Sequence, residues 1–173
     1  MFTDEIAVAM SGVPGFLGVY PADQFPIHFA AKSDRPQTMI INSETSKSPG
    51  AHWLGLAVHP LQARVTYFDS YALPPAAVLS PAGLSRLEQI SANKWLETSP
   101  FPIQSSPTFE NFIDGEGQCG EFCIFVLCKL PYYSNCLSAL MRSEFIPTNH
   151  LFNKNKVKRY LKRGGCNPLH SPG

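Results

Sequence analysis

The fold of this 173-residue chain is decided by one stretch, CGEFCIFVLCKL, at Cys119–Leu130. The stretch is apolar almost all round, whereas a helix at a protein surface carries its apolar residues on one side only. We therefore predict a buried central helix that begins at Cys119, with the other elements packed around it. Cys123 and Cys128 lie on the same helix and are expected to be core residues, because free cysteine is often buried.

Extended segments lie upstream of this helix. Two strand-like runs, Trp53–His59 and Arg64–Asp69, are separated by four residues, which is the spacing of a hairpin. An earlier run, Gln37–Asn42, is apolar and β-branched enough for a short buried strand. The other predictions for this part of the chain are a short extended piece at Pro100–Ser106 and loops at Gly12–Pro26 and Thr108–Gly117.

Three further helices are expected outside the core. One begins near Ser80 and ends at about Asn93, since the proline after Ser80 suits the first turn of a helix. The other two are Asn135–Ser143 and Asn153–Lys162, the second with a basic face. Hairpin strands around a buried helix indicate an α+β fold, in which a small mixed or antiparallel sheet packs on the helix that carries Cys119 at its N-terminus.

The composition is that of a single compact domain. Hydrophobic residues make up 44% of the chain and charged residues 16%, which excludes bulk disorder. No apolar run reaches the roughly 18 residues that a membrane span needs. We expect one domain over residues 1–163, with a basic helix at about 153–163 and a mobile tail at 164–173. Asp4 and Glu5 stand where a secretory signal would carry basic residues, so we expect an intracellular monomer that is not secreted.

The formal charge of +1 is the sum of two unlike parts. Residues 1–144 hold eight Lys and Arg against 13 Asp and Glu, a net charge of −5, whereas residues 145–173 hold six basic residues and no acid. A cluster of this kind binds a phosphate backbone by releasing counterions, without sequence preference. The alternative is an ordinary solvated face of a helix. The six candidate DNA-binding residues are Lys154, Lys156, Lys158, Arg159, Lys162 and Arg163.

Five cysteines make an odd count in a chain without an export signal, so the simplest interpretation is that all are reduced and each acts singly. Zinc is disfavoured, because Cys119 and Cys123 are four residues apart and no second pair has a matching distance. His150 and His170 stand alone. No metal site is predicted.

Three residues at element boundaries form the candidate catalytic set. His52 precedes the first hairpin strand, Asp69 ends the second and Cys119 opens the buried helix. A hairpin brings the start of one strand beside the end of the next, so the carboxylate can fix the tautomer of the imidazole. A helix N-terminus and an adjacent imidazolium both lower the pKa of a thiol, which predicts a thiolate nucleophile for acyl transfer. The alternative is that Cys119 is a small core residue.

Four segments of the chain resemble the adenovirus protease (adenain) family of cysteine endopeptidases, whose wider relatives include the SUMO and ubiquitin-like-protein proteases. The likeness extends over about residues 14–161, and its most specific features are the order and spacing of a G-x-H-W and a C-G-x-F-C piece. The segments are Pro14–Phe29, Ile40–Trp53, Tyr67–Tyr71 and Gln118–Cys123.

The resemblance implies a papain-like or adenain-like fold and a role for each candidate residue. His52 matches the family's general base, Cys119 its nucleophile and Asp69 its acidic third member. Trp53 matches a family aromatic beside the cleft, although it can equally be a core residue of its strand.

The chain departs from the family at the glutamine that stabilises the oxyanion. The family usually places this residue six or seven positions before the nucleophile, where this chain has Ile113 and Phe112. Gln104, in a sequence similar to the family's strand-end Gln-Ser, is one candidate, with Thr108–Gly117 as an inserted loop. Gln118 is a second candidate, and a third alternative is that neither acts. We favour Gln104 as the oxyanion donor.

The resemblance also bears on the basic end of the chain, because adenovirus proteases as a family are stimulated by DNA. It implies DNA and a short activating peptide as stimulators, with no cofactor required for the chemistry. That peptide carries a basic run followed by Cys, which Leu161–Cys166 loosely resembles. The same stretch contains Gly164 and Gly165, similar to the residues that such enzymes recognise before the scissile bond. The alternative is an unstructured end of biased composition.

The sequence therefore predicts a cysteine endopeptidase of viral or transposon type, without a membrane partner. It would cleave virion precursor proteins after Gly-containing sites, in the host nucleus and the virion. One alternative is the same chemistry on ubiquitin-type or SUMO-type conjugates, and another is a different acyl transfer by the same three residues. A non-catalytic homologue that binds nucleic acid is an alternative of another class.

Overall fold

The computed structural model describes residues 1–29, 34–48, 52–105 and 118–166. Five strands form one mixed sheet with helices on both faces, which confirms the predicted α+β class. The strands are β1 Phe16–Tyr20, β2 Gln37–Asn42, β3 Trp53–His59, β4 Arg64–Phe68 and β5 Trp95–Thr98. The helices are α1 Thr3–Met10, α2 Pro75–Val78, α3 Pro81–Ser91, α4 Cys119–Lys129, α5 Leu137–Glu144 and α6 His150–Lys162, with short 3-10 turns at Pro60–Gln62 and Leu130–Tyr133.

The sheet is built on the predicted hairpin. Strands β3 and β4 pair antiparallel, and the chain reverses through a 3-10 turn that ends at Ala63 in the left-handed region, at a φ of 47°. Strand β2 pairs antiparallel with the other side of β3, while β1 and β5 add in parallel at the two edges. Strand β3 is therefore central, and its first residue lies at the same end of the sheet as the last residue of β4.

Alternate residues of the central strands enter two separate cores, because successive side chains in a strand point to opposite faces. One core lies beneath α3 and the other beneath α1, α4 and α6. Helix α4 packs on β3 at Gly55, where a Cβ would be in ordinary van der Waals contact with the Leu127 side chain at 3.5 Å. The core under α3 includes Leu54, Leu56, Tyr67, Leu87 and Ile90; the core under α4 includes Ile40, Ala57, Phe68, Phe122 and Phe125.

Helix α4 is the predicted central helix. Of its 11 residues, eight are buried, including Cys119 and Cys123. Within the described ranges no single helix is long and apolar enough to cross a membrane. By length and composition alone, residues 119–133 and 137–144 would suffice together, although a bend of 110° separates them.

Several elements differ from the predictions. The predicted loop at Gly12–Pro26 contains β1, which pairs in parallel with β2, and α1 precedes it. The predicted extended piece at Pro100–Ser106 forms no strand over its described residues; β5 instead precedes it, paired in parallel with β4. Strands β1 and β5 are both short, and the sequence of each does not indicate the strand with which it pairs. The predicted loop at Thr108–Gly117 lies in residues 106–117, outside the described part of the chain.

The C-terminal end holds a disulfide that the sequence did not suggest. The expectation that all five cysteines act singly is wrong for Cys128 and Cys166, whose Cα atoms lie 5.6 Å apart and whose sulfurs are bonded. The bond joins α4 to the turn after α6, where the amide of Gly165 also donates to the carbonyl of Tyr160 at 3.0 Å. Most of the predicted mobile tail, residues 167–173, lies outside the described residues.

Candidate active site

Three elements bring the candidate residues together at one end of the sheet. His52 comes directly before β3 and Asp69 directly after β4, so the antiparallel pairing places them side by side. The amide of Ser43, just beyond β2, donates to the carbonyl of His52 at 2.9 Å and holds it in line with the sheet. Cys119 is the first residue of α4, which lies across the sheet on β3.

The His52 ring lies between the acid and the thiol. Its Nε2 atom is 2.7 Å from Oδ1 of Asp69, and Cys119 lies close enough for each of His52 and Cys119 to shift the pKa of the other. Since Asp69 engages Nε2, Nδ1 is the ring nitrogen that remains for the thiol. All three side chains are buried, with Asp69 fully excluded from solvent and His52 5% exposed.

The chain after β4 folds back to hold the Asp69 carboxylate. The amide of Tyr71 donates to Oδ1 at 2.9 Å and the amide of Leu73 donates to Oδ2 at 3.2 Å. The Ser99 hydroxyl accepts from the Asp69 amide at 2.9 Å, which ties this turn to the end of β5. A carboxylate held by these donors orients the imidazole without needing a further charged partner.

The environment of Cys119 favours its thiolate. Burial opposes that charge, but the hydrogen bond and the positive charge of His52 outweigh it, and the amides of Trp53 and Gly120 add to the effect, so the pKa of Cys119 is lowered. The Trp53 amide donates to Sγ at 3.4 Å. The start of α4 contributes in the same direction, because free amides at a helix N-terminus stabilise negative charge.

The pKa of His52 is shifted in the opposite direction to that of Cys119. Burial disfavours its charged form, yet the hydrogen bonds to Asp69 and Cys119, together with their negative charge, raise its pKa to about 9. The two shifts together favour an imidazolium beside a thiolate. Cys123, one turn further along α4, shows the contrast: burial and the nearby negative charges of Cys119 and Asp69 raise its pKa well above the ordinary value.

Tyr71 belongs to the site, although no role was predicted for it from the sequence. Its ring lies over that of His52, with centroids 4.9 Å apart and planes inclined at 36°. Burial, followed by the nearby negative charges of Cys119 and Asp69, raises the pKa of Tyr71 to about 12, so the phenol is neutral. Its position depends on the turn after β4, and the only sequence signal was its place in the Tyr67–Tyr71 segment.

The two glutamines predicted as oxyanion donors lie in different settings. Gln104 is 9% exposed, and its side chain reaches the turn after β4, where its Oε1 accepts from the Ser70 hydroxyl at 2.5 Å. Gln118 is the N-cap residue of α4, and its side chain makes no cap hydrogen bond. Its Oε1 atom is buried and accepts no hydrogen bond from the described residues. Only Gln104 is thus tied directly to the residue after Asp69.

The six basic residues divide into two groups on α6 and the turn after it. The ammonium of Lys156 is turned inward, 2.6 Å from a carboxylate oxygen of Glu144 and 2.8 Å from its carbonyl. Lys158, Arg159 and Lys162 are exposed and line a shallow cavity of about 430 Å³. Arg163 is also exposed, and Lys154 is partly buried. Most of the six basic side chains are therefore exposed, as a basic face requires, whereas Lys156 forms an ion pair with Glu144.

The described part of the chain holds no group of three or more His, Cys, Asp or Glu side chains that could bind a metal ion. Cys119 and Cys123, which the sequence analysis compared with zinc ligands, are both free thiols on α4.

Comparison with known proteins relates the chain to viral proteases. The family model described as adenovirus endoprotease matches residues 16–150. The chain is 30% identical over 120 residues to the protease of ovine adenovirus D serotype 7 (isolate OAV287), covering 69% of this chain and 58% of that protein. It is 29% identical over 113 residues to the protease of snake adenovirus serotype 1, covering 65% and 55% respectively. The chain thus spans just over half the length of these relatives.

Two solved structures are similar to the chain with TM-scores below 0.5. ChlaDub1 from Chlamydia trachomatis has a TM-score of 0.46 and 15% identity, covering 79% of this chain and 61% of that structure. The central domain of the uncharacterized Lpg1148 protein from Legionella pneumophila has a TM-score of 0.49 and 17% identity, covering 94% of this chain and 97% of that domain.

Proposed function

Because the chain belongs to the adenovirus endoprotease family, we propose that it is a cysteine endopeptidase with Cys119 as its nucleophile. The observation that supports this proposal most strongly is the contact of three buried groups: the Cys119 thiol, the His52 imidazole and the Asp69 carboxylate. A nucleophile bonded to a base that a third group orients is the general arrangement for covalent acyl transfer.

Acylation begins from the thiolate–imidazolium pair. The sulfur of Cys119 attacks the scissile carbonyl carbon, a C–S bond forms, and the carbonyl electrons move to oxygen. The C–N bond then breaks, and His52 gives its Nδ1 proton to the leaving amine. A thioester and a neutral imidazole result. Asp69 stays ionised throughout and keeps the remaining proton of His52 on Nε2.

Deacylation reverses the roles of the proton donor and acceptor. Water attacks the thioester carbon while Nδ1 of neutral His52 takes one of its protons. The C–S bond breaks, the carboxylic acid product leaves, and sulfur departs as a thiolate beside the newly formed imidazolium. The starting pair is thereby restored without any net change in the enzyme.

Both steps place negative charge on the former carbonyl oxygen. We assign its stabilisation to the backbone amide of Cys119 and the side-chain amide of Gln104. The hydrogen bond from Ser70 to Oε1 of Gln104 supports this choice, because it leaves the NH₂ end of that amide for the oxyanion. Each such donor is worth about 10²–10³-fold in kcat.

The substrates are proposed from the family. Viral precursor proteins cut after Gly-containing sites, during virion maturation in the host nucleus, suit an adenovirus-type endoprotease acting as a monomer. The alternative substrates are ubiquitin-type or SUMO-type conjugates. Incubation with virion precursors, with ubiquitin-like fusions and with short Leu-Xaa-Gly-Gly peptides separates the two classes by which of them is cleaved.

A covalent probe tests the proposed activity. A peptide vinyl sulfone should label Cys119 much faster than Cys136, a free and partly exposed cysteine that serves as the reference. Labelling of Cys119 should fall sharply in His52→Ala, because that variant lacks the partner that stabilises the thiolate. Equal labelling of the two cysteines, mapped by mass spectrometry of peptide fragments, would favour the non-catalytic alternative.

We also propose that nucleic acid binds the exposed basic residues of α6 and stimulates the enzyme, with a short activating peptide as a second stimulator. Duplex DNA of mixed sequence should bind with an affinity that falls steeply with salt, since each phosphate contact contributes a slope of about −0.9. Lys158→Gln should reduce both affinity and slope more than Lys156→Gln, because Glu144 already neutralises Lys156. Affinity that does not change with salt would overturn this proposal.

A further inference from the structure

Ser70 connects the acid of the site to the candidate oxyanion donor. It follows Asp69 directly and is fully buried. Its hydroxyl donates to Oε1 of Gln104 at 2.5 Å, while its carbonyl accepts from the amides of Ile103 at 2.9 Å and Gln104 at 3.2 Å. Gln104 is thus held at both its backbone and its side chain by a single residue.

The surrounding contacts make this connection rigid. On one side, Asp69 is fixed by the amides of Tyr71 and Leu73 and by the Ser99 hydroxyl. On the other side, Ile103 is buried in the core that includes the first turns of α4, and its carbonyl accepts from Nδ2 of Asn153 at 3.2 Å. A substitution at Ser70 is therefore expected to disturb the position of Gln104 more than the rest of the fold.

The hydroxyl matters because a primary amide has two ends of the same shape. One end is an acceptor and the other a donor, and a rotation of half a turn about the last side-chain bond exchanges them. The Ser70 hydroxyl donates to the acceptor end, and its O–H has no other acceptor among the described residues. Because Ser70 is fully buried, a reversed amide would leave that proton unpaired, so the donor end is presented away from Ser70. If the amide were reversed, a carbonyl oxygen would face the developing oxyanion and repel it.

We propose that Ser70 is a positioning residue that fixes the orientation of the Gln104 amide and so makes it an oxyanion donor. The inference rests on the proposed endopeptidase activity. Ser70 acts through Gln104 alone and takes no part in forming the thiolate. Its loss should lower the rate of the chemical step without weakening substrate binding, as expected for an interaction made in the transition state.

A double-mutant cycle tests this role. Ser70→Ala should lower kcat for a peptide substrate about 10-fold or more, with KM nearly unchanged, and should have less than about a twofold effect in a Gln104→Ala background. Ser99→Ala is the matched control, since it removes a hydroxyl at the end of β5 that contacts Asp69 and not Gln104. Its effect should be the same in both backgrounds.

Alkylation of Cys119 by iodoacetamide separates this inference from the proposed function. That reaction forms no oxyanion, so Ser70→Ala should alkylate at the wild-type rate although it hydrolyses peptide slowly. Ser70→Cys, which keeps the side-chain volume close to that of serine, should show the same pattern if Ser70→Ala melts early. Equal losses for Ser70→Ala in both Gln104 backgrounds, or slowed alkylation, would overturn the role of Ser70. A wild-type enzyme that cleaves no peptide would instead overturn the proposed function, and this inference with it.

Discussion

The pKa values of His52 and Cys119 are shifted in opposite directions from their ordinary values. The pKa of Cys119 is lowered, so its alkylation by iodoacetamide should stay fast below the ordinary thiol value of about 8.5 and should fall only at more acidic pH. The pKa of His52 is raised to about 9, so peptide hydrolysis should fall again as pH rises through that value and the imidazolium loses its proton. Rates measured across this range, with Cys119→Ala as the blank, check both limbs. An alkylation rate that rises only near pH 8.5 would contradict the ion pair.

Asp69 is expected to act through its charge as well as its shape. Asp69→Asn keeps the size of the side chain but removes the negative charge that holds the proton on Nε2 of His52. Peptide hydrolysis should drop by about 10²-fold or more, and by up to about 10⁴-fold if the wrong tautomer dominates. Asp23→Asn, a change at a surface carboxylate bonded to Ser46, serves as the control and should leave hydrolysis within about twofold of wild type.

Helix α3 packs closely on the segment after β1. A Cβ added at Gly83 would lie 2.8 Å from the Cβ of Ala22, a short side chain that cannot move aside without its backbone. Gly83→Ala should therefore lower the free energy of unfolding by about 1–3 kcal/mol, despite the better helix propensity of alanine. Urea unfolding measures this loss. Ser85→Ala on the exposed side of the same helix should be neutral or slightly stabilising, and equal stability of both variants would refute the close packing.

Helices α5 and α6 are joined through Glu144. Its carboxylate accepts from the Tyr133 hydroxyl at 2.5 Å and pairs with the ammonium groups of Lys129 and Lys156. Burial opposes the charge, but these partners outweigh it and lower the pKa of Glu144. The stability that they give is present above the unfolded-state pKa of about 4.3 and is lost as pH falls through the lowered folded-state value.

Glu144→Gln should therefore cost about 1–2 kcal/mol of unfolding free energy at neutral pH, because hydrogen bonds to the charged group are lost and the two lysines are partly exposed. The difference from wild type should shrink at acidic pH, where wild-type Glu144 is also uncharged. Denaturant unfolding at both pH values measures it, and a difference that grows with acid would contradict the assignment.

Local sequence pattern was sufficient for the elements whose character is set by their own residues. The apolar run of α4 and the hairpin spacing of β3 and β4 predicted the centre of the fold, and hence the meeting of His52, Asp69 and Cys119. Strands β1 and β5 were missed because each is short and exists through parallel pairing with a strand elsewhere in the chain. Ser70 and Tyr71 were missed as site residues because their contacts depend on how the turn after β4 folds.

At the scale of the whole molecule, the Cys128–Cys166 disulfide closes a long loop from α4 to the end of α6. The two cysteines are 38 residues apart, and a cross-link over such a distance stabilises by about 2–4 kcal/mol, chiefly by restricting the unfolded chain. Cys166→Ser should lower the urea midpoint by a corresponding amount, and reductant should lower the wild-type midpoint equally. Cys136→Ser, at a free cysteine, should not abolish the response to reductant. A wild-type midpoint that reductant leaves unchanged would show that the bond contributes nothing.

The separation of acidic and basic residues along the chain is also a property of the whole molecule. The proposed site lies in the acidic part of the chain, and the exposed basic residues lie on α6, whose buried residue Val157 belongs to the same core as Phe122 of α4. The same core thus connects a proposed nucleic-acid contact to the helix that carries the proposed nucleophile. Stimulation by DNA is therefore expected to be weaker in Lys158→Gln than in wild type at the same DNA concentration, under salt that leaves the basal rate of peptide hydrolysis intact.

The most direct test of the central claim is to trap the acyl group on Cys119. Wild-type enzyme is mixed with a cleavable peptide ester, quenched in acid within the first turnover, and digested for mass spectrometry. The fragment that contains Cys119 should carry the acyl part of the substrate, and this adduct should be absent from Cys119→Ala and much slower to form in His52→Ala. Cleavage of the substrate without acylation of Cys119, or an adduct on another cysteine, would contradict the proposed mechanism.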